Sequence, residues 1–328
     1  MSSIINVMVH ASQFPECVKE TLLAGLRSRR IAPKFHYQSY KQAQLWLALH
    51  RACSPAWLDP DCELIYNQGF EAAAGSLPER QVNVVGLGCG GGYKEARLLD
   101  LLAAQGKEIS YAPCDVSLPL LLTAAHKALE ARPALPCRPL LCDLALASDL
   151  PEIPGQIQQP HARRIITFFG MMPNFEPDVI LPKLAALTRA EDLLLLSANL
   201  APGPDYRAGV RRVLPGYDNP PTRAWLGAFL EDLGAEPDDG AVDFSIEESA
   251  ALLRIAGDFR FLRERELVVH EEHFAFHPGA VVRLFFSYRH TPGLIRQLFQ
   301  ARGFRVIGQW ITKSGEEGVF LCRKQPGA

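Results

Sequence analysis

Val82-Asn83-Val84-Val85-Gly86-Leu87 runs directly into Gly88-Cys89-Gly90-Gly91-Gly92, and Tyr93-Lys94-Glu95-Ala96-Arg97-Leu98-Leu99 follows. The valine-rich run reads as a buried strand, the glycines as a tight turn, and the leucines across Lys94–Ala104 as one face of a helix. The same alternation extends outward on both sides. Ile109–Cys114 is strand-like and Leu118–Ala131 helical; Pro136–Cys142, Arg164–Phe169 and Leu193–Ala198 repeat the strand signal, with Val179–Leu187 as a helix before the last. Strands joined through helices need crossover connections and so form a parallel sheet. Such a sheet is covered on both faces, which explains continuous apolar runs in place of alternating ones. Residues ~81–200 are therefore expected to form a doubly wound α/β unit.

Beyond Leu200 the pattern changes. Ala201–Pro204 and Pro215–Pro221 are Pro/Gly turns, and Trp225–Leu233 and Glu247–Ile255 read as helical. Phe261–Phe276 and Ala280–His290 alternate around a Pro278-Gly279 turn, a hairpin signal. A helix over Pro292–Arg302 precedes two closing strands, Phe304–Ile311 and Gly318–Arg323. We expect two domains: 61–200 with 283–328 forming the α/β unit, and 1–60 with 201–282 forming a smaller α+β lobe.

The chain has 328 residues, 48% hydrophobic and 21% charged, with a formal net charge of −2. That excludes disordered, collagen-like and coiled-coil classes. No basic block invites nucleic acid, and no apolar run reaches the ~20 residues of a membrane span. Eight cysteines without a CxxC pair or metal-ligand rhythm predict a reduced, cytoplasmic protein with no disulfide framework and no metal. Among His270, His273 and His277, the spacing of three puts His270 and His273 on different faces of a strand, so an exposed hairpin tip is expected there.

A glycine turn after a strand lets a ligand approach the backbone closely, although it also serves as a plain strand–helix turn or a dinucleotide site. Asp115 ends the second strand, where a carboxylate accepts from both ribose hydroxyls of an adenosine. Asp143 ends the third, where it can accept from an adenine amino group. Each can equally cap the turn that follows it. Two acidic strand ends after one glycine loop suit a single adenosine better than a dinucleotide. An antiparallel closing strand is usual in S-adenosylmethionine (AdoMet) methyltransferases, an analogy of fold and not of chemistry.

Seven ordered motifs then resemble those of the histidine Nα-methyltransferases of ergothioneine biosynthesis. They start with Lys34-Phe35-His36-Tyr37, continue through the Gly88–Lys94 loop and Tyr111-Ala112-Pro113-Cys114-Asp115-Val116-Ser117, and include Cys142-Asp143-Leu144. Phe168-Phe169-Gly170 with Asn174-Phe175-Glu176-Pro177, Gly216-Tyr217-Asp218-Asn219 and Phe286-Ser287-Tyr288-Arg289 complete the series. The resemblance implies a Rossmann-like class I AdoMet methyltransferase sheet with an antiparallel last strand. It implies that Gly88, Gly90 and Lys94 hold the methionine part of AdoMet, Asp115 the ribose, and Asp143 with Leu144 the adenine. It also implies that Asn174 and Tyr217 hold the carboxylate and amino group of an amino-acid substrate, with Tyr37 beside the transferring methyl. Tyr37, Asn174 and Tyr217 are thus the catalytic candidates, and Phe285 and Ser287 join the substrate set.

Three departures stand out. Gly86 replaces the acidic residue that usually ends the first strand. A Tyr-rich segment downstream of the first motif is missing, with Ser54-Pro55-Ala56-Trp57 near its place. Phe285 stands where the family reads the imidazole with a Glu, so histidine loses its charge-assisted partner. The expected acceptor is the amine of a small amino acid or related amine with an apolar or aromatic side chain. A carboxylate or hydroxyl acceptor, or a non-catalytic AdoMet-binding relative, are the alternatives.

Overall fold

In the computed structural model, residues 4–150 and 162–325 are described below. Thirteen strands occur among them: β1 Met8–Val9, β2 Gln81–Leu87, β3 Glu108–Asp115, β4 Leu140–Leu141, β5 Arg163–Phe168, β6 Leu193–Asn199, β7 Gly240–Ser249, β8 Leu252–Phe261, β9 Arg265–Val269, β10 Glu272–Phe276, β11 Val281–Arg289, β12 Phe304–Ile311 and β13 Glu317–Lys324. Eight form one sheet in the order β1-β4-β3-β2-β5-β6-β13-β12. Neighbours from β1 to β6 pair in parallel, while β13 runs antiparallel to both β6 and β12. This is the expected α/β class with its reversed closing hairpin. The apolar runs are buried as predicted: Val82, Val84, Val85, Ile165, Ile166 and Leu193–Leu196 are each at most 3% exposed.

Helices cover both faces. Tyr93–Ala104 and Leu118–Ala131 follow β2 and β3, with Ser117 capping the second through its side chain. Inside the sheet, the fully buried Arg164 guanidinium forks onto Asp192 and also donates to the Leu187 carbonyl at 3.0 Å. A buried charge at that depth persists because its partner and its hydrogen bonds are both supplied.

A second core forms where β7, β8 and β11 make a three-stranded antiparallel sheet. Helices Pro15–Ser28 and Pro220–Asp232 supply Leu23, Leu26, Trp225 and Phe229 to the same cluster as Phe259, Val282 and Phe285. Strand β11 pairs with β8 along its length, so a boundary at 283 falls inside a strand of this smaller sheet. Conversely, Met8–Val9 joins the edge of the large sheet.

One expectation fails here. Glu247–Ile255 is not helical: it is the end of β7, a turn and the start of β8. Its Glu, Ala and Leu residues favour a helix locally, yet Ala250 and Ala251 adopt positive φ (47° and 62°) in a tight hairpin. Ten cross-strand pairs outweigh the propensity of a few residues. The hairpin signal over 261–290 is also subdivided. Antiparallel β8 and β11 enclose a second hairpin, β9–β10, with His270 at its tip and His273 paired with Glu266 on its exposed face.

Candidate functional site

Strand β2 lies between β3 and β5, so the chain leaves it in opposite directions and opens a crevice beyond the carboxyl ends of the strands. The glycine loop sits there. Gly88, Gly90 and Gly92 have φ of 64°, 52° and 69°, in the left-handed region. A Cβ on Gly92 would lie 2.8 Å from the Ala124 Cα of the facing helix, which closes that position to side chains. Beside the loop is a cavity of about 670 Å³, lined from the large sheet and from β11 of the small one.

The structure brings all the sequence candidates to this one cavity. Gly88, Gly90, Lys94, Asp115, Asp143 and Leu144 line it, and so do Tyr37, Asn174, Tyr217, Phe285 and Ser287.

Both aspartates already serve the backbone. Asp115 is buried; its Oδ2 accepts from the Gly90 N–H at 2.8 Å and its Oδ1 from the Ser117 N–H at 2.9 Å. It therefore shapes the loop and caps its own turn, and burial pushes its carboxyl up to about 6. The Asp143 Oδ1 accepts from the Ala145 N–H, and its Oδ2 lies 3.1 Å from the Lys34 ammonium. Lys34 is only 5% exposed, so this cation is committed to Asp143 and ties the first motif to the third strand end.

The Asn174 Nδ2 donates to the Phe286 carbonyl at 3.0 Å. That donation fixes the amide orientation and leaves Oδ1 as an acceptor. The Tyr217 hydroxyl lies 2.9 Å from the Ser287 Oγ and accepts from the Arg289 Nη2 at 2.8 Å. The Tyr37 ring packs against Trp46 and Trp225, and its carbonyl accepts from the Ser117 hydroxyl. Burial, with Asp115 nearby, holds the Tyr37 phenol well above its ordinary value, so it stays a protonated donor. Phe285 sits between Trp225 and Tyr217, with ring centroids 6.0 and 5.9 Å away.

Arg289 was quoted in a sequence motif but given no role there. Its side chain is 8% exposed and lines the cavity. Nη1 donates to the Leu200 carbonyl at 3.1 Å and Nη2 to Tyr217, while Nε has no partner. Among the described residues no carboxylate pairs with it. Trp46 and Trp225 also line the cavity, and the sequence reading gives neither a role. A lone basic residue in an alternating strand carries no sequence signal of burial, because its depth depends on the helix laid across it.

In chemical terms the cavity offers a glycine cradle with two acidic strand ends, an aromatic wall and a buried cation without an anion. A family model described as histidine-specific methyltransferase, SAM-dependent, matches residues 18–324. Among solved structures, one titled as a possible exported protein from Bordetella parapertussis is similar over 93% of this chain and 86% of its own, at 11% identity and a TM-score of 0.50. The magnesium protoporphyrin IX methyltransferase of Synechocystis PCC 6803, crystallised with SAH, is similar over 87% of this chain and 95% of its own, at 13% identity and a TM-score of 0.44. No curated protein matches the sequence.

Proposed function

The chain belongs to the histidine-specific, SAM-dependent methyltransferase family, and on that premise we propose that it N-methylates a small amino acid whose side chain is apolar or aromatic. The observation that carries this reading is the pairing of an unneutralised buried guanidinium, Arg289, with an aromatic wall at Phe285 and Trp225. A carboxylate matches the first and a non-polar side chain the second.

The residues present fit the cofactor: the cradle excludes side chains, and the two acidic strand ends flank it. In this reading Gly88, Gly90 and Lys94 hold the methionine part, Asp115 the ribose, and Asp143 with Leu144 the adenine. Bound AdoMet supplies an electrophilic methyl on a sulfonium. This chain's task is to present a neutral amine lone pair and exclude water. Asn174 Oδ1 accepts from an amine N–H without protonating the nitrogen. Tyr217 and Arg289 anchor the carboxylate, and Tyr37 borders the reacting centre. With AdoMet held there, the amine lone pair oriented by Asn174 would take the methyl, the electrons of the broken bond would remain on sulfur, and the methylated ammonium would lose its proton to solvent. The lobes divide after Arg289 on this account, and β7, β8, β11 and their helices close over the substrate. A cytoplasmic site of action belongs to the same reading, since cysteines such as Cys114 and Cys142 stay buried and reduced.

Products are to be read by mass after incubation with AdoMet and a mixture of the common amino acids. N-methylated phenylalanine, tyrosine, tryptophan or leucine is expected, with histidine a poor acceptor. Methylation of histidine at least as fast as these, or ester products in place of amines, overturns the reading.

Cofactor affinity should also depend on pH. Only an ionised carboxylate accepts from two ribose hydroxyls, and the Asp115 carboxyl titrates near 6. Binding of 5′-methylthioadenosine, which carries the ribose but no amino-acid group, is therefore expected to weaken on acidification through about pH 6 and to be regained above it. A flat calorimetric profile across that range in the wild type contradicts the assignment.

A further inference from the structure

Gly86 leaves the end of β2 without a carboxylate, and a side chain from the next helix covers the spot. A Cβ on Gly86 would lie 3.4 Å from the Glu95 Cγ and 3.4 Å from the Tyr111 hydroxyl. Glu95, in the first turn of helix Tyr93–Ala104, thus reaches over the space that a side chain at 86 would fill.

Glu95 is 2% exposed and still lines the cavity. Its Oε1 accepts from the Thr167 hydroxyl at 3.0 Å. Among the described residues, no cation stands within ion-pair distance of it. Burial pushes its carboxyl up to about 7, as suits an acid lacking its counter-ion. The preceding residue has the opposite charge. The Lys94 ammonium rests against the rings of Tyr66 and Phe169, 4.5 and 5.8 Å from their centroids, and no carboxylate among the described residues pairs with it. Adjacent residues just past the glycine loop thus line the same cavity with an acid and a cation, neither of which has an oppositely charged partner within ion-pair distance among the described residues. A zwitterionic α-amino acid head group complements that pair.

We propose that Glu95 binds the ammonium of the cofactor's methionine part, supplying from the helix the carboxylate that the strand end lacks. Gly86 suits this arrangement, because a carboxylate side chain there would extend into the space that Glu95 occupies. Another buried acid lines the cavity: Glu317, whose Oε1 accepts from the Tyr66 hydroxyl at 2.7 Å. It serves as the discriminating control.

Binding of S-adenosylhomocysteine and of 5′-methylthioadenosine, which lacks the amino-acid group, is to be measured by calorimetry. Glu95→Gln is expected to weaken the first about tenfold or more and leave the second within about twofold. Glu317→Gln is expected to change neither. In the wild type, a homocysteine-deaminated analogue should bind about tenfold more weakly than the parent, a readout that needs no variant. Unchanged S-adenosylhomocysteine affinity in Glu95→Gln, an equal loss for both ligands, a loss specific to Glu317→Gln, or full affinity of the deaminated analogue overturns the proposal.

Discussion

Replacing Asp115 with alanine is expected to abolish cofactor binding. The carboxylate does two jobs at once. Its oxygens hold the Gly90 and Ser117 N–H groups, which set the shape of the loop and of the turn after β3. On the proposed reading, its remaining lone pairs take the ribose hydroxyls. Hydrogen bonds to a charged group contribute about 1.5–3 kcal/mol each, so losing two weakens S-adenosylhomocysteine by roughly a hundredfold or more before any loop disorder is counted. Asparagine keeps one acceptor and the side-chain volume, and should fall between the two. Calorimetry reads all three proteins directly. An alanine variant that binds within a few-fold of the wild type would show that the ribose is held elsewhere.

Arg289→Gln should separate the acceptor site from the cofactor site. The guanidinium is buried and bonded to Leu200 and Tyr217, and no anion among the described residues pairs with it. Such a charge is costly unless a ligand neutralises it, and removing one partner of a buried charge pair costs about 2–5 kcal/mol. Wild-type protein saturated with S-adenosylhomocysteine is therefore expected to bind phenylalanine at least about thirtyfold more tightly than phenethylamine, which has no carboxylate. The glutamine variant should lose that preference and keep its affinity for S-adenosylhomocysteine. Equal binding of the two ligands to the wild type, or a preference that survives in the variant, rules out Arg289 as the carboxylate anchor.

Both experiments concern residues that differ in how much the sequence reveals. Asp115 is legible because its place depends on local order alone: a buried strand must end, and its last residue lies at the mouth of the crevice. The glycine loop is legible for a similar reason, since left-handed φ at three positions leaves few residue types to choose from. Phe285 is singled out by its motif as a candidate for the acceptor subsite, and its ring packs beside Tyr217 and Trp225. Arg289, four residues later, shows nothing in the sequence to set it apart from a surface arginine. In the fold its carbonyl accepts from the Tyr206 hydroxyl and its guanidinium donates to Tyr217, both more than seventy residues earlier in the chain. The misread segment over 247–255 has the same cause, because pairing with distant strands prevails over local propensity.

What the chain order determined alone is the α/β sheet, its reversed closing hairpin and the carboxylates at its strand ends, because strand burial and turn chemistry act over a few residues. Tertiary structure decided which charges meet and which are left without partners. Lys34 is neutralised by Asp143, whereas among the described residues Glu95, Lys94 and Arg289 have no oppositely charged partner around the one cavity. Charge pairing depends on distances of a few ångströms between residues far apart in the chain, and only the folded backbone sets those distances.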